Sequence, residues 1–389
     1  MNSIDTPIEI AGVGLHPFGR FDHRSTTELG IAAVRAAIAE AGITRRTHFQ
    51  AAFCGTAYAG VAAGHKVLSA LGLTGGPIVD VEAGCASGAA ALSLGAHAIR
   101  SGEADTVVVF GLEKMPKGMI RSTFFEPWRE EAGLSATPAY FALRAQRLMR
   151  ERNITEADLA EVVVKNRQHG VLNPDAMFRK AVTVEDVLAS RPVCGPLRLF
   201  MLCSPNEGAA AVVLRRCPSG SNSGGTVPRV LLRAAVLRSH LPGNVLGEAT
   251  PLCGLVDDDD LPSPTALAAQ AAYSEAGIGP DDLNLVECQD TDAARELLAY
   301  EELGLCRPGE NAALARSPRS RLGGARPINV SGGLLSKGEP LGASALGQVV
   351  ELVRQVRGQA GDRQVAGATV GLAHTVGRGA NASAVIVTR

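Results

Sequence analysis

Apolar and polar positions run through two rounds of one pattern. The first round opens on TELGIAAVRAAIAEAGI, a helix-period stretch of small residues ending at Ile43. The second opens on PTALAAQAAYSEAGI, ending at Ile278. A short strand-like run follows each, FQAAFCGT and LNLVECQD. A helix then closes on Leu-Gly-Leu, at Leu71–Leu73 and at Leu303–Leu305. Next come Pro-Ile and a strand entering a Gly-rich turn: PIVDVEAGCASG from Pro77 and PINVSGGLLSKG from Pro327. Each round ends on a final strand, GAAAVVLRR near Gly208 and ANASAVIVTR near Ala380. Five features in matching order predict a duplicated βαβαβ unit. Strands alternating with helices predict an α/β fold of mostly parallel sheets covered by helices.

The halves are expected at 1–228 and 229–389, joined by the Gly/Ser-rich linker 217–229. The segment from about 116 to 196 has no counterpart in the second half. It reads as an insertion over the active site and holds the only tryptophan, Trp128.

Aromatics make up only 4% while Gly and Ala abound, which predicts close approach of helices and strands. A net charge of −1 gives no basic surplus, arguing against nucleic-acid binding. No apolar run approaches the roughly 18 residues of a membrane span. The start MNSIDTPIEIAGVG lacks a cationic stretch followed by an apolar one. The eight cysteines, among them Cys253, are scattered without a CxxC pair, which argues against zinc and against a disulfide framework. Together these point to a cytoplasmic protein with thiols in a reducing compartment.

Cys85 stands apart. PIVDVEAG reads as a buried strand and CASGAAALSLGAHAIRSG as a helix ending near Gly102, so Cys85 sits on a sharp strand-to-helix turn. Gly84 permits unusual backbone angles there, and Gly88 allows a close neighbour. Free N–H groups and the dipole at a helix N-terminus favour a thiolate, hence a nucleophile. The structural alternative is a small core cysteine.

The motifs that accompany this turn are GLEKM at 111–115, NEGAAAVVL at 206–214, AARELLAYEELGLC at 293–306, INVSGGLLSKGEPLGAS at 328–344 and, more loosely, GLAHTVGRG at 371–379. With them the chain resembles the thiolase family over nearly its whole length, most closely the sterol carrier protein 2 subgroup with its bacterial lipid-transfer-like members. The resemblance implies two halves in a five-layer αβαβα core with an inserted loop domain, and a homodimer. It implies an acyl thioester of coenzyme A or a carrier protein as substrate, no bound cofactor, no metal, and an acyl-Cys85 intermediate. One oxyanion site is expected from the backbone N–H groups of Cys85 and Gly377. Ser331, Gly332, Gly333 and Met115 are expected beside the substrate. Bacterial members of the subgroup often work with a small OB-fold partner.

The chain departs from this pattern at the second oxyanion site. The family's Gly-His-Pro loop reads Gly338-Glu339-Pro340. An ionised Glu has only acceptors and repels a developing enolate. The subgroup's His-Asp-Cys-Phe loop reads Gln289-Asp290-Thr291-Asp292, so an acid/base Cys is replaced by Thr291. Gln289 is expected to hold a water or substrate oxygen. The last Gly-rich loop offers Thr375 where a second Cys is expected, next to His374.

The nucleophile thus looks present and the enolate machinery dismantled. The favoured reading is acyl transfer to a non-thioester acceptor, with Glu339 or His374 as general base. The bland reading of Glu339 is a carboxylate paired with Lys337 or an Arg of the insertion. A second reading is thiolase-type condensation or cleavage with rearranged helpers; a third is a non-catalytic scaffold or lipid-binding subunit. His16, His23, His48, His65, His97, His169 and His240 lack metal spacing, and Asp257–Asp260 reads as a solvated loop.

Overall fold

A computed structural model describes residues 6–44, 49–118, 128, 131, 137–217, 227–241, 261–377 and 381–389. Most of the expected linker, the acidic run Asp257–Asp260, His48 and Cys253 lie outside these residues.

The first half runs β1 (Ile8–Gly19), α1 (Thr26–Glu40), β2 (Ala51–Gly55), α2 (Ala63–Ala70), β3 (Ile78–Val81), a 3₁₀ turn (Gly84–Ala86), α3 (Ser87–Arg100) and β4 (Thr106–Lys114). The insertion follows, with α4 (Thr137–Arg152), α5 (Glu156–Val171), α6 (Val184–Ala189) and the small hairpin β5 (Pro192–Cys194) and β6 (Leu197–Arg198). β7 (Glu207–Arg216) closes the half. The second half runs β8 (Leu231–Arg238), α7 (Pro264–Ala276), β9 (Leu285–Cys288), α8 (Ala293–Glu302), α9 (Asn311–Arg316), α10 (Gly333–Lys337), α11 (Leu341–Arg357), β10 (Val370–Gly377) and β11 (Asn381–Thr388).

The helix starts and stops follow local chemistry. Ser25 and Glu28 form a capping box on α1, and Ser263 with Pro264 opens α7. Both Leu-Gly-Leu sequences end their helices alike. Leu73 N–H donates to Leu68 O (2.9 Å) and Leu305 N–H to Tyr300 O (2.8 Å) across left-handed glycines, Gly72 at φ +69° and Gly304 at φ +71°.

The strand order is β3-β2-β4-β7-β1-β8-β11-β10-β9, and Ile328 adds a parallel bridge to Val286 beyond β9. Read outward from the β1–β8 junction, the two halves mirror one another, as the repeat predicts. The expectation of mostly parallel sheets needs correction. β7 runs antiparallel to both β4 and β1, and β11 antiparallel to both β10 and β8. PIVDVEAG is also not a buried strand: β3 lies at the sheet edge and Val79 is 43% exposed.

Strand alternation sorts the core into layers. Ala209, Ala211 and Val213 of β7 face α1, whereas Ala210, Val212 and Leu214 face α3 and α11. Val385 and Val387 of β11 meet the same central layer from the other side, while Ala384 and Ile386 face α7. Helices α3 and α11 therefore lie between the two halves of the sheet, giving the αβαβα order. Their close crossing explains Gly88, where a Cβ would stand 2.8 Å from Gly342 O.

Candidate active site

The turn bearing Cys85 is held from within. Gly84, at φ +57°, donates its N–H to Glu82 Oε1 (2.7 Å). Ser87 Oγ accepts from Ala83 N–H (2.9 Å) and donates to Gly84 O (2.6 Å). Cys85 is half-buried at the N-terminal approach to α3. Gly377, the last residue of β10, lies against this turn: a Cβ there would stand 1.8 Å from Ala83 O and 3.1 Å from Ala86 Cβ. Only a residue without a side chain lets β10 come so close to the cysteine's backbone.

Glu339 follows Gly338, whose φ of +85° and ψ of 175° suit glycine alone. A Cβ on Gly338 would meet Asn206 Nδ2 at 2.0 Å. Glu339 N–H donates to Ser204 O (2.9 Å), and Asn206 Nδ2 donates to Lys337 O (2.8 Å), so the 203–206 segment clamps the Glu339 loop. The buried carboxylate accepts the Cys203 thiol on Oε2 (3.2 Å) and the Gln289 amide on Oε1 (3.3 Å).

Desolvation holds the Cys203 thiol well above the usual thiol range, and the nearby charges of Glu339 and Cys85 add to this. Cys203 therefore stays protonated, a hydrogen-bond donor to Glu339 that also feels the charge of Cys85. Sequence reasoning missed it. Its only signal was proximity in sequence to NEGAAAVVL, since it has neither a turn nor a partner spacing of its own.

The remaining candidates have definite places. Gln289 spans the backbone of Val376, accepting its N–H (3.0 Å) and donating to its O (2.9 Å). With Glu339 as the second acceptor, both amide hydrogens are engaged. Gln289 therefore positions the Val376–Gly377 strand end and Glu339 rather than holding a water.

Thr291 gives its carbonyl to Cys203 N–H (2.9 Å), and its hydroxyl points to Asp292 Oδ2 (3.3 Å), which Arg144 pairs. Ser331 hydrogen-bonds Glu287 through N–H and hydroxyl. Lys337 lies 3.9 Å from the same Glu287 carboxylate, so it is Glu287, not Glu339, that it faces. Gly332 (φ +94°) and Gly333 (φ +60°) open α10, where Asp290 accepts the N–H groups of Leu334 (2.6 Å) and Leu335 (3.1 Å). Met115 is buried, its N–H on Asn206 O (3.1 Å).

His374 and Thr375 point away from one another on β10, as neighbours on a strand do. Thr375 Oγ1 donates to Gln348 Oε1 of α11 (2.8 Å), in the central layer. The His374 ring lies against Thr265 Oγ1 of α7 (3.0 Å), in the outer layer, and is fully buried. Burial, reinforced by Arg295, keeps it neutral far below its ordinary range. Its contacts are on the opposite face of β10 from α11 and give no route to Cys85, so the expectation of His374 as a base is withdrawn.

A buried polar network ties the insertion to these loops. Lys165 of α5 pairs with Glu296 (2.8 Å), both with fully buried side chains. Asn166 donates to Glu296 (2.6 Å) and to Asp290 (2.7 Å), and Asn329 donates to Glu296 (2.7 Å). Burial, with Glu296 alongside, pushes the Asp290 carboxyl well up. The described part of the insertion thus sits on the Gln289–Asp292 and Ser331–Glu339 segments. Among the described residues there is no group of acidic, His or Cys side chains able to hold a metal ion. No described helix is long and apolar enough to cross a membrane.

The thiolase N-terminal domain family matches residues 9–189, and the thiolase C-terminal domain-like family matches residues 255–389. The chain is 35% identical to the benzoylsuccinyl-CoA thiolase subunit BbsB of Thauera aromatica, with 97% of each chain covered. It is 34% identical to sterol carrier protein 2 of Oryctolagus cuniculus, covering 95% of this chain and 70% of that protein. Among solved structures, the Ltp2-ChsH2(DUF35) aldolase superposes with a TM-score of 0.85 at 26% identity, over 98% of this chain and 97% of that one. With these matches, its mirrored halves and its Cys-bearing turn, the chain belongs to the thiolase family.

Proposed function

We propose that this protein is a thioester-dependent acyltransferase in which Cys85 takes the acyl group from a coenzyme A or carrier thioester. The Cys85 thiolate attacks the thioester carbonyl, a tetrahedral oxyanion forms, and the carrier leaves as its thiolate. The N–H groups of Cys85 and Gly377 are the natural oxyanion donors, a reading supported by the packing of Gly377 on the Ala83–Ala86 turn. One such donor is worth about 3 kcal/mol in the transition state. In the second step an acceptor amine or hydroxyl attacks the acyl-Cys85 carbonyl, its proton passes to Glu339, and the C–S bond breaks to release the acylated acceptor and the Cys85 thiolate.

The observation that carries this reading is the Cys203–Glu339 hydrogen bond beside Cys85. It supports this reading because Glu339, at the loop position where the family carries a donor, is an acceptor already served by a neutral thiol. A carboxylate accepts a proton from a neutral nucleophile; it does not stabilise a second negative charge.

The relatives favour a second reading. One is named a benzoylsuccinyl-CoA thiolase subunit, and another, from Methanothermobacter thermautotrophicus, an acetyl-CoA acetyltransferase. On that reading Cys203 supplies the missing proton donor for condensation or cleavage. A homodimer through the β3 edge is consistent with exposed Val79, and a small partner protein with the Ltp2-ChsH2(DUF35) neighbour. Product analysis separates the two readings. With acetyl-CoA and a panel of amines and alcohols, acylated acceptor and no β-ketoacyl product is expected. Glu339→Gln should slow transfer about 10²–10⁴-fold while leaving acylation of Cys85 in place. A β-ketoacyl product from acetyl-CoA alone would replace the first reading with the second.

A further inference from the structure

Arg167 of α5 is 7% exposed, and no hydrogen bond or ion pair engages its guanidinium among the described residues. It lies over the Phe178 ring (4.3 Å to the centroid) and toward the Phe200 ring (5.7 Å). Its Nε is sealed without a partner, whereas its terminal nitrogens are not sealed. Desolvation alone lowers its affinity for its proton, to a pKa of about 10, with no carboxylate beside it to restore it. A buried guanidinium is ordinarily paired, because burying it without a partner is unfavourable. Aromatic faces offset part of that cost but occupy only the flat sides of the fork. The terminal in-plane N–H groups, which are not sealed, remain open to a ligand.

The location is specific. One turn further along α5, Gly170 abuts the active-site loop: a Cβ there would stand 2.5 Å from Ser336 Cβ. Phe178 donates its N–H to Ser336 O (2.9 Å), and Phe200 lies in the short turn Leu199–Met201, just before Cys203. The two rings that flank Arg167 thus belong to one loop that is hydrogen-bonded to Ser336, three residues before Glu339, and to one turn that leads into Cys203.

We propose that Arg167 is a specificity-determining residue that binds a carboxylate carried by the acyl group or the acceptor. A planar fork with free in-plane donors matches a carboxylate in bidentate geometry. The inference deepens the acyltransferase reading and relies on it for the nature of the ligand. A phosphate of the coenzyme offers the same oxyanion chemistry, so the test separates the two sources.

Binding is measured in the Cys85→Ala protein, which cannot be acylated there, with succinyl-CoA and its uncharged counterpart butyryl-CoA. The same pair is repeated as pantetheine thioesters, which lack the nucleotide phosphates. The succinyl thioester is expected to bind about tenfold tighter or more in both series. Adding Arg167→Met should bring the ratio to about one without weakening the butyryl thioester, and Arg167→Lys should keep part of it. A ratio unchanged in Arg167→Met, or a preference that vanishes in the pantetheine series, overturns the proposal. Thermal unfolding confirms that the variants fold. Because the readout is binding without chemistry, a failure of Cys85 to become acylated would be seen separately and would leave this result standing.

Discussion

Gly377→Ala is the sharpest structural test of the oxyanion arrangement. The new Cβ would stand 1.8 Å from Ala83 O, and its neighbours there are backbone and the Ala86 Cβ, not the end of a flexible chain. Ordinary contact begins at about 3.4 Å, so β10 and the Cys85 turn must separate by about 1.6 Å. Overpacking of this kind costs about 1–3 kcal/mol of stability. A misplacement of about 1 Å at reacting groups costs about 100-fold in rate.

Rapid-quench mass spectrometry of Cys85 acylation should therefore show a drop of 100-fold or more in a protein that still unfolds cooperatively. Gly371→Ala is the control on the same strand. Its Cβ would meet Leu352 Cδ2 at 2.8 Å, the end of a side chain that can rotate away. That variant should acylate at close to the wild-type rate. Wild-type acylation by Gly377→Ala, or equal slowing of both variants, would refute the reasoning.

Three further outcomes are expected. Cys203→Ala leaves the buried Glu339 carboxylate with one donor fewer, and denaturant unfolding should show a loss of about 1–3 kcal/mol that Cys203→Ser recovers. Lys165→Met leaves Glu296 buried without its cation, and denaturant unfolding should show a loss of about 3–5 kcal/mol that Lys165→Met with Glu296→Gln partly recovers. His169 is locked neutral: Nδ1 donates to Asn329 O (2.9 Å) and Nε2 accepts Leu322 N–H (3.0 Å), with burial bringing its pKa to about 3. The unfolded chain then binds the extra proton below pH 6.5, so stability is full above that pH. It should fall by about 1.4 kcal/mol per unit as pH drops from 6.5 toward 3, and His169→Gln should flatten that slope.

The repeat was legible because it is written in local signals: caps, Leu-Gly-Leu stops and glycine turns all act within a few residues. The Cys85 turn and the Glu339 substitution were legible for the same reason. The reversal of β7 and β11 was not, since a strand buried on both faces reads alike in either direction. The same uniform burial hid the phase of β10, where only the fold shows that Thr375 faces α11 and His374 faces α7.

Lys337 next to Glu339 suggested a pair by adjacency, but the helical phase of α10 and the turn at Gly338 send them apart. Gln289 looked available because sequence cannot show that Val376 and Glu339 already use its amide. Cys203 lies far in sequence from Cys85 and Glu339, and Arg167 far from Phe200; tertiary packing of the 203–206 segment and α5 brings each to its partner. No local pattern marks such residues.

Everything rests on Cys85 accepting an acyl group. Intact-mass spectrometry of the wild-type and Cys85→Ala proteins, each exposed briefly to a panel of acyl-CoA thioesters, tests that directly. The account predicts a single added acyl mass on the wild type, mapped to the Cys85 peptide, and none on Cys85→Ala. No adduct with any thioester, or one that persists undiminished after Cys85→Ala, would contradict it.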